Sequence, residues 1–299
     1  MPDAGTAARM TDLAERLAGA TVLRADGSAG SLLQSRGHAG CLERLNLEAP
    51  DVIREMHREY QEAGAELLWT NTFGASPLRL EAAGLADRTE AVNEAAAELA
   101  REAAGDDAWV VGAIGPCGGV LQPYGDLDPG VVHAGVLRQV AGLVAGGVDA
   151  LVVETMMDLE EALVALDAAQ ERAPGLPVLV SLTFQETPNG PFTAFGQPPA
   201  DAARRLVAAG AAAVGANCGT GPEAMLPVVR AMRDAVDRPV LCKPNAGLPR
   251  TTEEGPVWPA DPTTFARAVG DLVDAGAGIV GGCCGTTPAH IRELGTVQG

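Results

Sequence analysis

The chain has 299 residues, of which 47% are hydrophobic and only 3% aromatic, so a sizeable core is available and must be packed from Ala, Val and Leu rather than from rings. A formal net charge of −18 argues against a nucleic-acid partner, whose phosphates require clustered Lys and Arg. No apolar run approaches the ~20 residues of a membrane span.

Length alone admits one large domain or two small ones. Six cysteines are too few and too unevenly spaced for a disulfide scaffold. The first segment carries Asp3, Asp12 and Glu15 without a continuous apolar stretch, unlike a signal peptide, so a cytoplasmic location is expected. Lys243 is the only lysine, against 20 arginines, a bias we attribute to genome composition.

In chain order, residues 1–8 read as a disordered leader and residues 9–299 as one domain. Met10 to Leu17 reads as a short helix able to plug the bottom of a barrel. Short apolar runs then recur at Thr21 to Leu23, Glu66 to Trp69, Trp109 to Ile114, Ala150 to Val153, Val178 to Thr183, Ala212 to Ala216, Val240 to Leu241 and Ile279 to Val280. Ala-rich amphipathic segments lie between most of them, at Asp51 to Ala63, Arg88 to Ala104, Val131 to Ala145, Leu159 to Glu171, Ala200 to Ala209, Glu223 to Ala235 and Pro262 to Ala275. This alternation implies a parallel sheet. Eight units with no Pro- or Ser-rich linker predict an α/β fold, a single-domain (β/α)8 TIM barrel, in preference to an open doubly wound sheet. Glycines just past several helices, at 64, 147, 210 and 276, fit the left-handed position that stops a helix. The stretches Ser28 to Ala49, Cys117 to Asp128, Gln185 to Pro199 and Ala246 to Pro259 are expected to be structureless loops bordering the barrel mouth.

The unusual residues fall at the ends of the runs. Asp26, Asn71, Gly115, Glu154, Asn217, Asn245 and Cys283 each sit at or just after a C-terminal strand end, where barrel strands converge on one mouth. Among them Gly281-Gly282-Cys283-Cys284-Gly285-Thr286 pairs two adjacent thiols, and Asn217-Cys218-Gly219-Thr220 supplies a third. Three soft thiolates with one open position describe a catalytic zinc site. From spacing alone other readings stand beside it: buried Cys as small hydrophobes, an adjacent-pair disulfide, and a Gly-rich phosphate cradle after the last strands. Cys41, Cys117 and Cys242 read as non-ligands, and His38, His57 and His133 as solvated or packed, without a nucleophile triad.

Asp26-Gly27-Ser28-Ala29-Gly30-Ser31, Thr70-Asn71-Thr72-Phe73, Gly115-Pro116, Glu154-Thr155, Asn217-Cys218, Lys243-Pro244-Asn245-Ala246-Gly247 and the Gly-Gly-Cys-Cys-Gly-Thr segment together resemble the homocysteine S-methyltransferase family, the homocysteine-binding barrel of methionine synthase and betaine-homocysteine methyltransferase type. The resemblance implies a zinc cofactor held by Cys218, Cys283 and Cys284, with Asn245 as an exchangeable ligand. It implies that homocysteine attacks a donor methyl through its thiolate to give methionine. Asp26 and Glu154 are then the candidate catalytic residues and contact the substrate, Glu154 best placed for its ammonium, with Gly27, Ser28 and Asn217 completing the binding wall; a structural salt bridge or helix cap is the other reading of each carboxylate. Ala29 and Ser31 depart from the usual Met and Thr there. The Gly115 to Asp126 stretch is more similar to the methionine-synthase and bacterial betaine branch than to the S-methylmethionine-dependent one, so the expected donor is methylcobalamin on a partner protein or an onium compound such as betaine, with an S-methylmethionine-dependent homocysteine methyltransferase as the alternative. Two readings of other classes remain, a Schiff-base lyase using Lys243 and a non-catalytic thiol- or zinc-binding module.

Overall fold

A computed structural model describes residues 13–19, 21–252 and 255–297. The expected leader at residues 1–8 and the start of the expected plug helix lie outside the described residues. Eight parallel strands form one sheet: β1 (Leu23–Arg24), β2 (Leu67–Trp69), β3 (Trp109–Ile114), β4 (Ala150–Met156), β5 (Val178–Leu182), β6 (Ala213–Asn217), β7 (Val240–Lys243) and β8 (Ala277–Val280). Their order is sequential around the ring, with β8 paired to β1. A single bridge, Ala25 to Leu67, joins β1 to β2 and brings the sheet to closure.

The barrel helices are α1 (Pro50–Glu62), α2 (Thr89–Ala104), α3 (Pro129–Ala145), α4 (Leu159–Arg172), α5 (Pro199–Ala208), α6 (Pro222–Ala235), α7 (Pro262–Asp274) and α8 (Pro288–Glu293). Six of the eight open on proline, which lacks only an N–H that the first turn leaves unpaired anyway. That is why four of them start one or two residues earlier than the amphipathic pattern indicates. Asp128, Asp158 and Asp261 cap α3, α4 and α7 by accepting backbone N–H groups. The glycines at 64, 147, 210 and 276 have φ of 95°, 83°, 95° and 104°, as the helix ends require.

Alternation along each strand divides the core in two. Leu67, Val111, Val152, Leu179, Leu241 and Ile279 fill the barrel interior, whereas Leu68, Val110, Val153, Val180, Val214 and Val280 face the helices. Residues 13–18 are helical, and Leu13 and Leu17 join the interior cluster. With 1% and 7% exposure, they close the N-terminal end of the barrel, each burial stabilising by about 2 kcal/mol.

Three of the expected structureless loops contain ordered elements. Ser28 to Ala49 holds the helices Ala29–Ser35 and Leu45–Glu48 and a 3-10 turn at Leu42–Arg44. The loop after β5 is a hairpin, Gln185–Thr187 with Gly190–Phe192, and the loop after β7 pairs Arg250–Thr252 with Gly255–Val257. Strands β4, β6 and β7 also run further than their apolar stretches: Asn217 and Lys243 pair with each other at the end of the ladder, and β4 continues past an irregularity at Glu154 and Thr155 to pair Met156 with Leu182.

Candidate functional site

Cys218 follows β6 directly, and Cys283 and Cys284 follow β8 after two glycines. The three Sγ atoms lie within 4.8 Å of one another, and Cys218 and Cys284 are 3.9 Å apart. The edge of a tetrahedron of sulfurs around zinc, at ~2.3 Å per bond, is ~3.8 Å. All six cysteines are free thiols, so the adjacent pair is not a disulfide. Cys41, Cys117 and Cys242 take no part in a metal-ligand group among the described residues.

Backbone contacts fix the cluster. Cys218 adopts φ of 62°, a left-handed conformation, and its N–H donates to Lys243 O at 3.2 Å. Cys283 N–H donates to Pro244 O at 2.8 Å, and Cys284 N–H to Asn245 Oδ1 at 3.1 Å. Gly285 has φ of 82°, and a Cβ there would stand 2.2 Å from Trp258 Cγ, so the segment can turn under the indole only with glycine. Thr286 ties this turn to β1, accepting Ser28 N–H at 3.1 Å, and Tyr60 donates to both Ser28 O and Thr286 O.

The three sulfurs share their protons unequally. The Cys218 thiol falls to about 3 because those of Cys283 and Cys284 donate to it, and Cys284 rises to about 11 for the same reason. Cys283 is pushed well above the usual thiol range by Cys218 and Cys284 and by burial. Three thiolates this close cannot all be charged at neutral pH unless a cation compensates them. The soft donor set and its spacing therefore fit a zinc-type ion with one position left for an exogenous ligand.

The cluster floors a cavity of about 360 Å³ whose walls include Asp26, Gly27, Ser28, Trp69, Phe73, Glu154, Thr155, Lys243 and Trp258. Asp26 and Lys243 form a buried ion pair at 2.7 Å, and Asp26 also accepts the Trp69 N–H at 2.8 Å. The Lys243 ammonium stands 3.4 Å over the Trp69 ring. Burial raises the Asp26 carboxyl, and Lys243 pulls it back. Glu154 is half-buried with no hydrogen-bond partner in the described structure. Burial pushes its carboxyl up to about 7, with Lys243 opposing and Asp26 and Cys218 adding to the rise. An unpartnered carboxylate facing a cavity is suited to a ligand's ammonium. The acidic lining is the wrong charge for a phosphate cradle.

Asn217 and Asn245 are placed differently from the other expected site residues. Both are buried beside the cavity without lining it. Asn217 Oδ1 accepts Thr155 N–H and Ser181 Oγ at 2.8 and 2.7 Å, and its Nδ2 donates to Thr155 Oγ1 at 2.7 Å. Asn245 turns Oδ1 to the Cys284 N–H, and its amide N–H helps hold the Cys218 thiolate. Sequence reasoning did not find Lys243 as the partner of Asp26. Its one signal was a lone lysine ending a strand.

The homocysteine S-methyltransferase family model matches residues 23–297. The chain is 35% identical over 303 residues to methionine synthase of Mycobacterium leprae (strain TN), covering 95% of this chain and 25% of that protein. The same identity and coverage hold for methionine synthase of Mycobacterium tuberculosis (strain ATCC 25618 / H37Rv). The chain thus spans about a quarter of the length of these relatives. In fold it is similar to the metallated crystal form of the homocysteine methyltransferase MmuM from Escherichia coli, with a TM-score of 0.76 and 24% identity over 92% of this chain and 95% of that one. With the family motifs gathered at one barrel mouth and the match running through nearly all of the sequence, the chain belongs to the homocysteine S-methyltransferase family.

Proposed function

We propose that this chain transfers a methyl group to the thiol of homocysteine, forming methionine, at a zinc ion held by Cys218, Cys283 and Cys284. The observation that carries this reading is the meeting of three thiols from β6 and β8 within 4.8 Å, on the floor of a cavity that also exposes an unpartnered Glu154. Bound there, zinc supplies a Lewis acid that keeps an incoming thiol deprotonated at neutral pH. Glu154 receives the substrate ammonium, which offsets the burial that otherwise raises its carboxyl. Asp26, neutralised by Lys243, shapes the same wall, and Gly27 and Ser28 face the substrate carboxylate. The sulfur then forms its bond to the methyl carbon as the donor's bond to that carbon breaks, and the donor keeps the electron pair. Asn245, whose Oδ1 accepts the Cys284 N–H, would be the exchangeable ligand in this reading.

The donor we favour is a methylated corrinoid on a partner protein. Val120, Tyr124, Met157, Phe195, Leu248 and Val257 are exposed on loops that leave the mouth ends of β3, β4, β5 and β7, an apolar rim that a small donor would leave uncovered. An onium donor such as betaine is the second reading, supported by Phe73 and Trp258 on the cavity wall and by the acidic lining. Lys243 is engaged in an ion pair rather than presenting a free amine, which disfavours the Schiff-base alternative. A cytoplasmic setting, in which thiols are kept reduced, suits a site built on three cysteines. Among the described residues no helix is long and apolar enough to cross a membrane. Residues 9–299 are read as the catalytic domain.

The test is turnover of homocysteine by the zinc-loaded protein with methylcobalamin, betaine and S-methylmethionine in parallel. Methionine formed from methylcobalamin, and lost in Cys284→Ala, is the expected result. Turnover only with betaine or S-methylmethionine moves the donor to the onium class, and homocysteine binding without turnover of any donor reduces the chain to a thiol-binding module.

A further inference from the structure

Strand β4 contains an irregularity that nothing in its own sequence favours. Val153 pairs with Val180 and Met156 with Leu182, so two residues, Glu154 and Thr155, stand opposite Ser181 alone. Val153 and Met156 both face the helices. The extra residue between them is what lets Glu154 and Thr155 line the cavity side by side. It requires φ of 60° at Thr155, a left-handed conformation that a β-branched side chain resists.

The neighbouring strand supplies the compensation. Asn217 Oδ1 takes both the Thr155 N–H and the Ser181 hydroxyl, and one hydrogen of Nδ2 goes to Thr155 Oγ1. The remaining direction of the amide points at Cys283 Sγ, 3.9 Å away. The amide's full hydrogen-bonding capacity is spent between the bulge and one sulfur. An Ala loses every contact, and Asp keeps the acceptors but has no N–H to offer sulfur.

We propose that Asn217 is a positioning residue that aims Glu154 by clamping Thr155 in its strained conformer and at the same time seats the Cys283 thiol, so that one amide links amino-acid recognition to the sulfur cluster. This rests on reading the cavity as the homocysteine site. The two arms are separable, because glycine at position 155 adopts the left-handed conformation without a clamp and does nothing for the sulfur.

The test uses the zinc-loaded full chain and compares wild type, Asn217→Ala and Asn217→Ala/Thr155→Gly by calorimetric titration with homocysteine and by the rate of zinc transfer to a chromophoric chelator. Asn217→Ala is expected to weaken homocysteine about tenfold, the combined loss of a few buried hydrogen bonds, and to release zinc several-fold faster. Adding Thr155→Gly recovers most of the homocysteine affinity and leaves zinc release fast, a split that a general packing defect does not produce. Wild-type affinity in Asn217→Ala, or no recovery in the double variant, overturns the proposal. If Asn217→Ala does not fold, Ser181→Ala weakens the same clamp and carries the same comparison, with a two- to fivefold loss reversed by Thr155→Gly. Failure of the wild type to bind homocysteine sinks the substrate reading instead, and unchanged zinc release in Asn217→Ala then overturns the sulfur arm separately.

Discussion

Replacing Lys243 by methionine strands the Asp26 carboxylate, and the consequence follows from how little water reaches the pair. Both side chains are 4% exposed and their atoms are 2.7 Å apart. Removing one member of such a pair leaves an uncompensated buried charge, at a cost of about 3–5 kcal/mol. The cation–π contact with Trp69 is lost as well. Asp26 can escape part of the penalty by taking a proton, and burial already raises its carboxyl. A carboxyl whose folded pKa lies above its unfolded value binds more protons folded than unfolded between the two values, so stability falls as pH rises through that window. The Lys243→Met deficit is therefore largest at pH 8 and shrinks towards pH 4. Asp26→Asn/Lys243→Met keeps an acceptor for the Trp69 N–H without a charge and recovers to within ~2 kcal/mol of wild type. Urea unfolding of the four members of this cycle at pH 5 and pH 8 measures both effects. A loss below ~1 kcal/mol that does not change with pH would mean the pair is solvated, and the reasoning would be wrong.

Glu154→Gln is predicted to raise KM for homocysteine ten- to a hundredfold with little change in kcat, because it removes a binding charge rather than a group in the methyl transfer. Since burial puts the Glu154 carboxyl at about 7, kcat/KM in the wild type should climb with pH through neutrality, and this limb should be missing in Glu154→Gln. His57 is fully buried, its two ring nitrogens have no partner among the described residues, and burial lowers it to about 4. Its neutral form contributes stability above the unfolded value of ~6.5, and up to ~3 kcal/mol of it is lost as pH falls to about 4; chemical denaturation of His57→Leu should lack that slope. Gly285→Ala forces a Cβ to 2.2 Å from Trp258 at a φ of 82°. It should cost at least ~2 kcal/mol and loosen zinc through the shifted Cys284, read by chelator competition; wild-type affinity would contradict the role given to that turn.

The barrel was legible because its two periodicities, short apolar runs and Ala-rich amphipathic segments, alternate without interruption. Helices α3 and α5 start on proline, ahead of the amphipathic pattern, because proline is compatible with the first turn. The hairpin after β5 carried a readable turn in Pro188-Asn189-Gly190, and the helix after β1 a readable cap in Ser28, but both were hidden in stretches rich in small polar residues. The thiol trio was readable from its motifs, since Cys218 and Cys283 each follow a strand and β6 and β8 flank β7. The Asp26–Lys243 pair and the Thr155 conformer were not readable. The first depends on two charges meeting across the mouth, 217 residues apart in sequence, and the second is imposed by a side chain on another strand against local preference.

The sulfur count around the metal tests the site most directly, and zinc-edge X-ray absorption reads it on the anaerobically loaded chain before and after homocysteine is added. Three sulfurs at ~2.3 Å with one lighter neighbour, becoming four sulfurs on addition and falling by one in Cys218→Ala, is the predicted result. A wild-type protein that holds no zinc, or a sulfur shell unchanged by homocysteine, would contradict it.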